Sequence, residues 1–356
     1  MRRASLLDLP AQGGADRQGM LLALWLGMRI LRIVLLAGGA LALMLLVRHF
    51  GLESITSALT PIAWWQFALI CLVHGVSVIL DTLGWRSTLV ADRPRFFRLL
   101  AARCAGQAVN VVTAVGGVGG ETMKAWLLRR DVPYEASVPS LILAKTAEVV
   151  GQALLLLTGI LVAWVTGVVG GTLLAPMGYL LLVEVIGVSG FIVAQVTGGV
   201  GRAGRLLARM GAGHADGVQR VDRAVRTFYR SHWRALLLSI GFHFASWLIG
   251  AVEVLLILWS LQVPASLVAA TVIEALGTGV RFATFFIPAS LGTLEGANAA
   301  AFAALGWAAN SGLAFSLVRR GRQAAWIGLG LAIVVAMGAL RTADRQPVEP
   351  AWARVD

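Results

Sequence analysis

The sequence is short of charge. Only 13% of its 356 residues are Asp, Glu, Lys or Arg, against 58% hydrophobic, which is more apolar surface than one water-soluble core can bury. Lysine occurs at Lys124 and Lys145 alone, so the net charge of +12 rests on arginine. The two cysteines, Cys71 and Cys104, have no Cys-x-x-Cys spacing, which indicates neither a zinc site nor a disulfide framework. No Asp-x-Asp, no His-Glu-x-x-His and no conventional nucleophile motif occurs, which weighs against a membrane-embedded glycosyl- or acyltransferase. No cofactor is expected. The first apolar run ends at Val47-Arg48-His49 without a small-residue cleavage pattern, so it reads as an uncleaved first span.

Long apolar runs fill the space that charge leaves. Ile33 to Val47, Ile62 to Leu80, Thr172 to Val196 and Gln323 to Leu340 are nearly charge-free and approach the roughly 20 residues needed to cross the hydrocarbon core. They lack the alternation of barrel strands, so the expected fold is an all-α polytopic membrane protein. Six spans are predicted, at 30–48, 62–85, 138–164, 172–197, 235–260 and 312–340. The strongest basic loop, Arg202 to Arg234, falls in the cytoplasm by the excess of arginine found in cytoplasmic loops. Arg86 to Arg103, the Arg129-Arg130 pair, Arg341 and Arg345 then lie on the same side, and the uncharged connections Gly167 to Gly171 and Gln262 to Ala265 on the other. The expected organisation is a cytoplasmic segment 1–29, a membrane half 30–198, a basic cytoplasmic loop 199–234, a second membrane half 235–340 and a tail 341–356. Both termini are expected in the cytoplasm, in a bacterial cytoplasmic membrane. The basic loop is expected to touch anionic lipid rather than nucleic acid.

Two further apolar regions are interrupted. Residues 100–130 contain Val115-Gly116-Gly117-Val118-Gly119-Gly120, and residues 266–308 contain Pro288-Ala289-Ser290-Leu291-Gly292; glycine and proline at such positions predict broken helices or hairpins. Glu121 precedes Lys145 by 24 residues and Glu295 precedes Arg319 by 24, a common offset of 174 that also sets Gln107 against Arg281 and Glu148 against Arg322. His74-x-x-Ser77 has a counterpart in His243-x-x-Ser246. With halves that begin on opposite sides of the membrane, this spacing predicts an inverted-topology repeat, a build shared by many carriers.

The run Gly106-Gln107-Ala108-Val109-Asn110 to Gly119-Gly120-Glu121-Thr122-Met123-Lys124 resembles the first signature of the lysylphosphatidylglycerol synthase transmembrane region, or flippase-like domain, family. Phe286-Ile287-Pro288-Ala289-Ser290-Leu291-Gly292-Thr293-Leu294-Glu295 resembles its second signature, followed by Leu317-Val318-Arg319-Arg320. The segments His74 to Arg86 and His243 to Glu253 are most similar to the branch associated with hopanoid biosynthesis. In the first signature Val115 stands where the family commonly has proline. The resemblance implies a lipid translocator or lipid-handling protein. It does not imply a synthase, because the aminoacyl-transferring members add a large soluble domain and only Arg341 to Asp356 follows the last span here.

The residues expected to carry binding chemistry are those that a bilayer tolerates least. Gly119-Gly120 and Gly292-Thr293 open helices whose unsatisfied N–H groups can cradle a phosphate, though glycines there also suit tight helix packing. Glu121 and Glu295 sit in the first turn after each break, where the helix dipole favours a carboxylate. Lys145 and Glu148 share a helix face, as do Glu274 and Arg281, and mutual pairing is expected for both. Arg319 is expected to face the same cavity as Lys145, and Pro288 marks the second break. The expected substrate-binding set is therefore Gly119, Gly120, Glu121, Lys145, Glu148, Arg281, Pro288, Gly292, Glu295 and Arg319. His74 and His243 read as packed or hydrogen-bonded residues, with a proton relay as the alternative, Glu184 and Glu253 as ambiguous, and Asp81 as an interfacial residue near Arg86. The expected function is translocation of a lipid with a phosphorylated, aminoacylated or hopanoid-type headgroup, with membrane lipids and lipid-biosynthesis enzymes as partners. A membrane-embedded transferase and a scaffold for lipid-synthesis enzymes are the alternatives.

Overall fold

A computed structural model describes residues 59–90, 93–113, 118–199, 201–202, 215–264 and 266–343, together with Met44, Arg48, Glu53 and Ser57. The expected first span at 30–48, the segment 1–29, residues 114–117 of the first break, most of the front of the arginine loop and the end of the tail lie outside the described residues. The described residues form ten α-helices and one short 3-10 turn, and no strand. The protein is an all-α polytopic membrane protein.

The helices are α1 (Trp64–Ser87), α2 (Phe96–Thr113), α3 (Val118–Leu128), α4 (Tyr134–Thr166), α5 (Gly171–Val196), α6 (Ala215–Ser231), α7 (Trp233–Ser260), α8 (Leu267–Ala283), α9 (Thr293–Ala304) and α10 (Ala309–Ala343). Four of them, α1, α4, α5 and α7, are long and apolar enough to cross a membrane, where spans were expected at 62–85, 138–164, 172–197 and 235–260. The predicted span 312–340 lies within α10, whose 35 residues are long enough but carry Arg319, Arg320 and Arg322. Those arginines face inward rather than lipid, as shown below. Large apolar side chains such as Leu182, Ile186, Leu237 and Leu238 lie exposed on the outer faces of α5 and α7, the position that a lipid-facing helix requires.

Each interrupted region is a pair of shorter helices. The first is α2 and α3, the second α8 and α9, with the 3-10 turn Pro288–Ser290 between the latter two. At about 1.5 Å per residue, the 11 residues of α3 and the 12 of α9 span well under the roughly 30 Å of the hydrocarbon core. The second break is conformationally tight. Ala289 and Ser290 both have positive φ, 54° and 48°, a region that costs a non-glycine residue on the order of 1 kcal/mol or more. The Ala289 carbonyl accepts a hydrogen bond from Arg320 at 2.9 Å and the Ser290 carbonyl one from Thr293 at 3.0 Å, which hold the turn.

At the centre, α1 and α7 pack antiparallel. Position 77 meets 246, 81 meets 243 and 84 meets 239. Around this pair, α2 packs on α10 and α8 on α4, so each interrupted pair leans on a long helix of the other half. The largest apolar core joins α4, α5, α7, α8, α9 and α10 through Leu155, Leu156, Met177, Ile257, Ile273, Phe302 and Phe315. The amphipathic α6 lays Val225 and Phe228 on Leu143 of α4 and turns Arg220 and Arg226 outward.

Candidate functional site

The α1–α7 crossing is held by a reciprocal pair of hydrogen bonds. Ser77 donates to the Ser246 carbonyl at 3.2 Å, and Ser246 donates to the Ser77 carbonyl at 3.1 Å. On either side of the crossing a histidine of one helix meets a carboxylate of the other: His74 Nδ1 lies 3.2 Å from Glu253, and His243 Nδ1 lies 2.8 Å from Asp81. Gly84 makes the second contact possible, because a Cβ there would stand 2.8 Å from the His243 ring. The two ends therefore carry the same chemistry in opposite directions along the helix pair.

Guanidinium groups complete each end. Arg103 of α2 donates to Asp81 at 2.7 Å, and both lie near Glu148 of α4. At the other end, Arg322 of α10 approaches Glu253 at 3.1 Å and His74 Nδ1 at 2.5 Å. Arg319 donates to Glu274 of α8 at 2.5 and 3.3 Å and stands 3.9 Å from Glu253, while Arg281 donates to Glu274 at 3.0 Å. Glu253 and Glu274 are each 1% exposed. An ionised carboxylate so buried is tolerated only when charge partners and hydrogen bonds replace water, and each has at least two cations within 4 Å.

Most of these groups, though not Glu253 or His243, border one chamber of about 410 Å³. Its wall includes five arginines, Arg103, Arg281, Arg319, Arg320 and Arg322, and four carboxylates, Asp81, Glu148, Glu274 and Glu295. Donors remain free among them: Nε of Arg103 and Nε of Arg281 have no hydrogen-bond partner among the described residues. Beside the chamber, and sharing Cys104 and Trp326 with it, lies an apolar cleft of about 260 Å³ between α1, α2 and α10, walled by Val78, Leu100, Leu329 and Ile333.

Of the residues singled out from sequence, Glu148, Arg281, Glu295 and Arg319 border the chamber. Glu295 also caps α9, accepting the Gly292 N–H at 2.7 Å, and pairs with Arg320 at 2.7 Å. Lys145 does not border it. It pairs with Glu148 at 3.0 Å and is half exposed, so it and Arg319 do not face one cavity as expected. Gly119, Gly120, Glu121, Pro288 and Gly292 are also absent from the wall. A Cβ on Gly120 would collide with the Gly106 carbonyl and Asn110, and the Gly120 N–H is already taken by Asn110 Oδ1 at 2.6 Å. Glu121 pairs with Lys124 at 2.7 Å. Gly120 is a packing glycine between α2 and α3, not an open cradle.

Sequence reasoning missed much of the wall. Asp81 is not an interfacial neighbour of Arg86 but the partner of Arg103 and His243. Both histidines are hydrogen-bonded, as one of the expected readings has it, but to carboxylates of the opposite helix. Arg103, which the loop charges group with the cytoplasmic stretch Arg86 to Arg103, is 7% exposed. The usable signal was the pair His74-x-x-Ser77 and His243-x-x-Ser246, whose four residues all lie at the crossing.

Comparison with known proteins fits this architecture. The sequence profile of the lysylphosphatidylglycerol synthase TM region matches residues 29–340. The chain belongs to that family, which puts it among membrane proteins of the lipid-modification or flippase type. No curated protein and no solved structure matches it.

Proposed function

We propose that the protein translocates a lipid with a polar or charged headgroup across the membrane. One observation carries this reading: a chamber of about 410 Å³ lined by paired ions opens next to an apolar cleft. That volume lies near the lower end for small-molecule sites and suits a headgroup but not a whole lipid. The adjoining cleft offers an apolar surface for a chain while the rest of the tails stay in the bilayer. Ion pairs within a membrane are costly and mark binding sites or transport routes, and five arginines provide forks for phosphate oxygens while the carboxylates suit an amino group.

The reciprocal contacts at the α1–α7 crossing, the two interrupted helix pairs and their exchange of partners across the halves support an inverted-topology repeat. On that reading, alternating access is a rocking of α8 and α9 against α2 and α3 about the Ser77–Ser246 contact. The branch associated with hopanoid biosynthesis remains our choice for the lipid class. We place the arginine face of α6 in the cytoplasm of a bacterial inner membrane, against anionic lipid.

The test is reconstitution of the purified protein in vesicles with a headgroup-labelled phospholipid and a membrane-impermeant quencher. The protein is expected to convert protected label to accessible label, and Glu295→Ala and Arg319→Ala to abolish this while remaining monodisperse. Conversion no faster than in protein-free vesicles contradicts the proposal.

A further inference from the structure

One carboxyl group outside the chamber is treated differently from all those described above. Glu184 sits midway along α5 and is 0% exposed. Among the described residues, neither of its oxygens has a hydrogen-bond partner and no arginine, lysine or histidine pairs with it. Every carboxylate of the chamber has a cation within 4 Å; Glu184 has none among the described residues. An ionised carboxylate in such a place is far more costly than a neutral one.

The polar side chain beside Glu184 is Gln152 of α4. Its amide nitrogen donates to the Thr278 carbonyl of α8 at 3.0 Å, which leaves its second N–H and the amide oxygen. The amide oxygen accepts only from a protonated carboxyl and the remaining N–H can serve either form, so Gln152 offers Glu184 polar contact but no positive charge to hold it ionised.

The neighbourhood ties this group to the chamber. On α4, Gln152 lies one turn beyond Glu148, which borders the chamber and is paired with Lys145. On α8, Thr278 lies one turn from both Glu274 and Arg281, which are paired with each other and with Arg319. The charged groups of α4 and α8 one turn from Gln152 and Thr278 are thus occupied elsewhere. On α5 itself Gln195 is bonded to Thr146 and Tyr229, the arginines of the adjoining α6 lie at its outer face, and Glu295 of α9 is paired with Arg320. A shift of α8 that alters the chamber also pulls on the Thr278–Gln152 contact.

We propose that Glu184 is a proton-binding site: it holds a proton while α4, α5 and α8 are closed around it and releases the proton when they part, so that headgroup movement in the chamber is coupled to proton movement. The coupling rests on the translocation reading above; the proton site does not.

The experiment uses the full chain in phosphatidylcholine–phosphatidylglycerol vesicles, in two arms. Infrared difference spectra of the wild type and E184Q should show the carbonyl stretch of a neutral carboxyl in the wild type at neutral pH, lost in E184Q and lost reversibly on alkalinisation. Movement of labelled phosphatidylglycerol should respond to an imposed proton gradient in the wild type. In E184Q the ratio of rates with and without the gradient should fall to about 1, the value that linkage assigns to uncoupled sites. E184D, which keeps an acid, should retain both the band and the response, and it decides the matter if E184Q does not fold. Absence of the band overturns the proton site. A band with an unaltered gradient response in E184Q overturns the coupling and makes Glu184 a neutral packing group. If wild-type vesicles move no lipid at all, the translocation reading and the coupling fail together, and the band alone then upholds or overturns the proton site.

Discussion

Glu274 has two guanidinium partners, whereas Arg319 depends chiefly on one carboxylate, and this asymmetry sets an order of stabilities. Replacing Glu274 by alanine leaves Arg281 without its partner and Arg319 with only Glu253 at 3.9 Å. Arg319 is 9% exposed, so its charge is left nearly uncompensated, and breaking a buried pair in this way costs about 3–5 kcal/mol. Replacing Arg319 by methionine leaves Glu274 its bond to Arg281 at 3.0 Å and substitutes an apolar stem for the guanidinium. The cost then approaches that of a single charged hydrogen bond, about 1.5–3 kcal/mol. The double variant removes both members of the strained remainder, so it should fall well short of the sum, with a coupling energy of roughly 1–3 kcal/mol between neighbours in one network. Reversible unfolding in mixed detergent micelles, followed by the fluorescence of the 12 tryptophans, measures all four corners of the cycle. Equal single-variant costs, or additivity to within about 0.5 kcal/mol, would refute the claim that the chamber is a coupled ion network.

Gly120→Ala should destabilise by about 1–3 kcal/mol through overpacking against Gly106 and Asn110, whereas Gly178→Ala, with nothing within 4 Å of its Cβ, should be tolerated; parallel thermal melts in detergent decide this. Ser77→Ala and Ser246→Ala should each cost about 0.5–1.5 kcal/mol and nearly equally, because their bonds are reciprocal; a large difference in the same unfolding assay would show that the crossing is not symmetric. Arg320→Ala frees the Ala289 carbonyl and removes the partner of Glu295. The 288–292 turn should then exchange amide hydrogens faster while α4 and α7 remain protected, and uniform exchange across the chain would contradict that role.

The helices were legible because a bilayer leaves little choice: runs such as 62–80 and 172–196 are too apolar and too long for anything but a span. The breaks were legible because Pro288 and the glycines around 116–120 interrupt otherwise continuous helical composition. The local pairs Lys145–Glu148 and Glu274–Arg281 followed from helical spacing. The long-range pairs did not, since no local rule joins Asp81 to Arg103 or His74 to Glu253. Arginine is ambiguous in the same way: Arg220 on α6 and Arg322 on α10 are chemically identical, yet one faces outward and the other is 8% exposed within the chamber wall. Gly120 failed as a predicted cradle because a helix start and a helix contact make the same demand for a missing side chain.

The chamber itself can be closed without disturbing its ion pairs. Gln107 borders it and is exposed, so Gln107→Trp can fill the void while the Arg103–Asp81 and Arg319–Glu274 pairs stay intact. In vesicles at equal protein density, Q107W should stop the conversion of protected to accessible headgroup label that the wild type performs, with an unchanged unfolding midpoint. Conversion by Q107W at the wild-type rate would mean that lipid headgroups do not pass through this chamber.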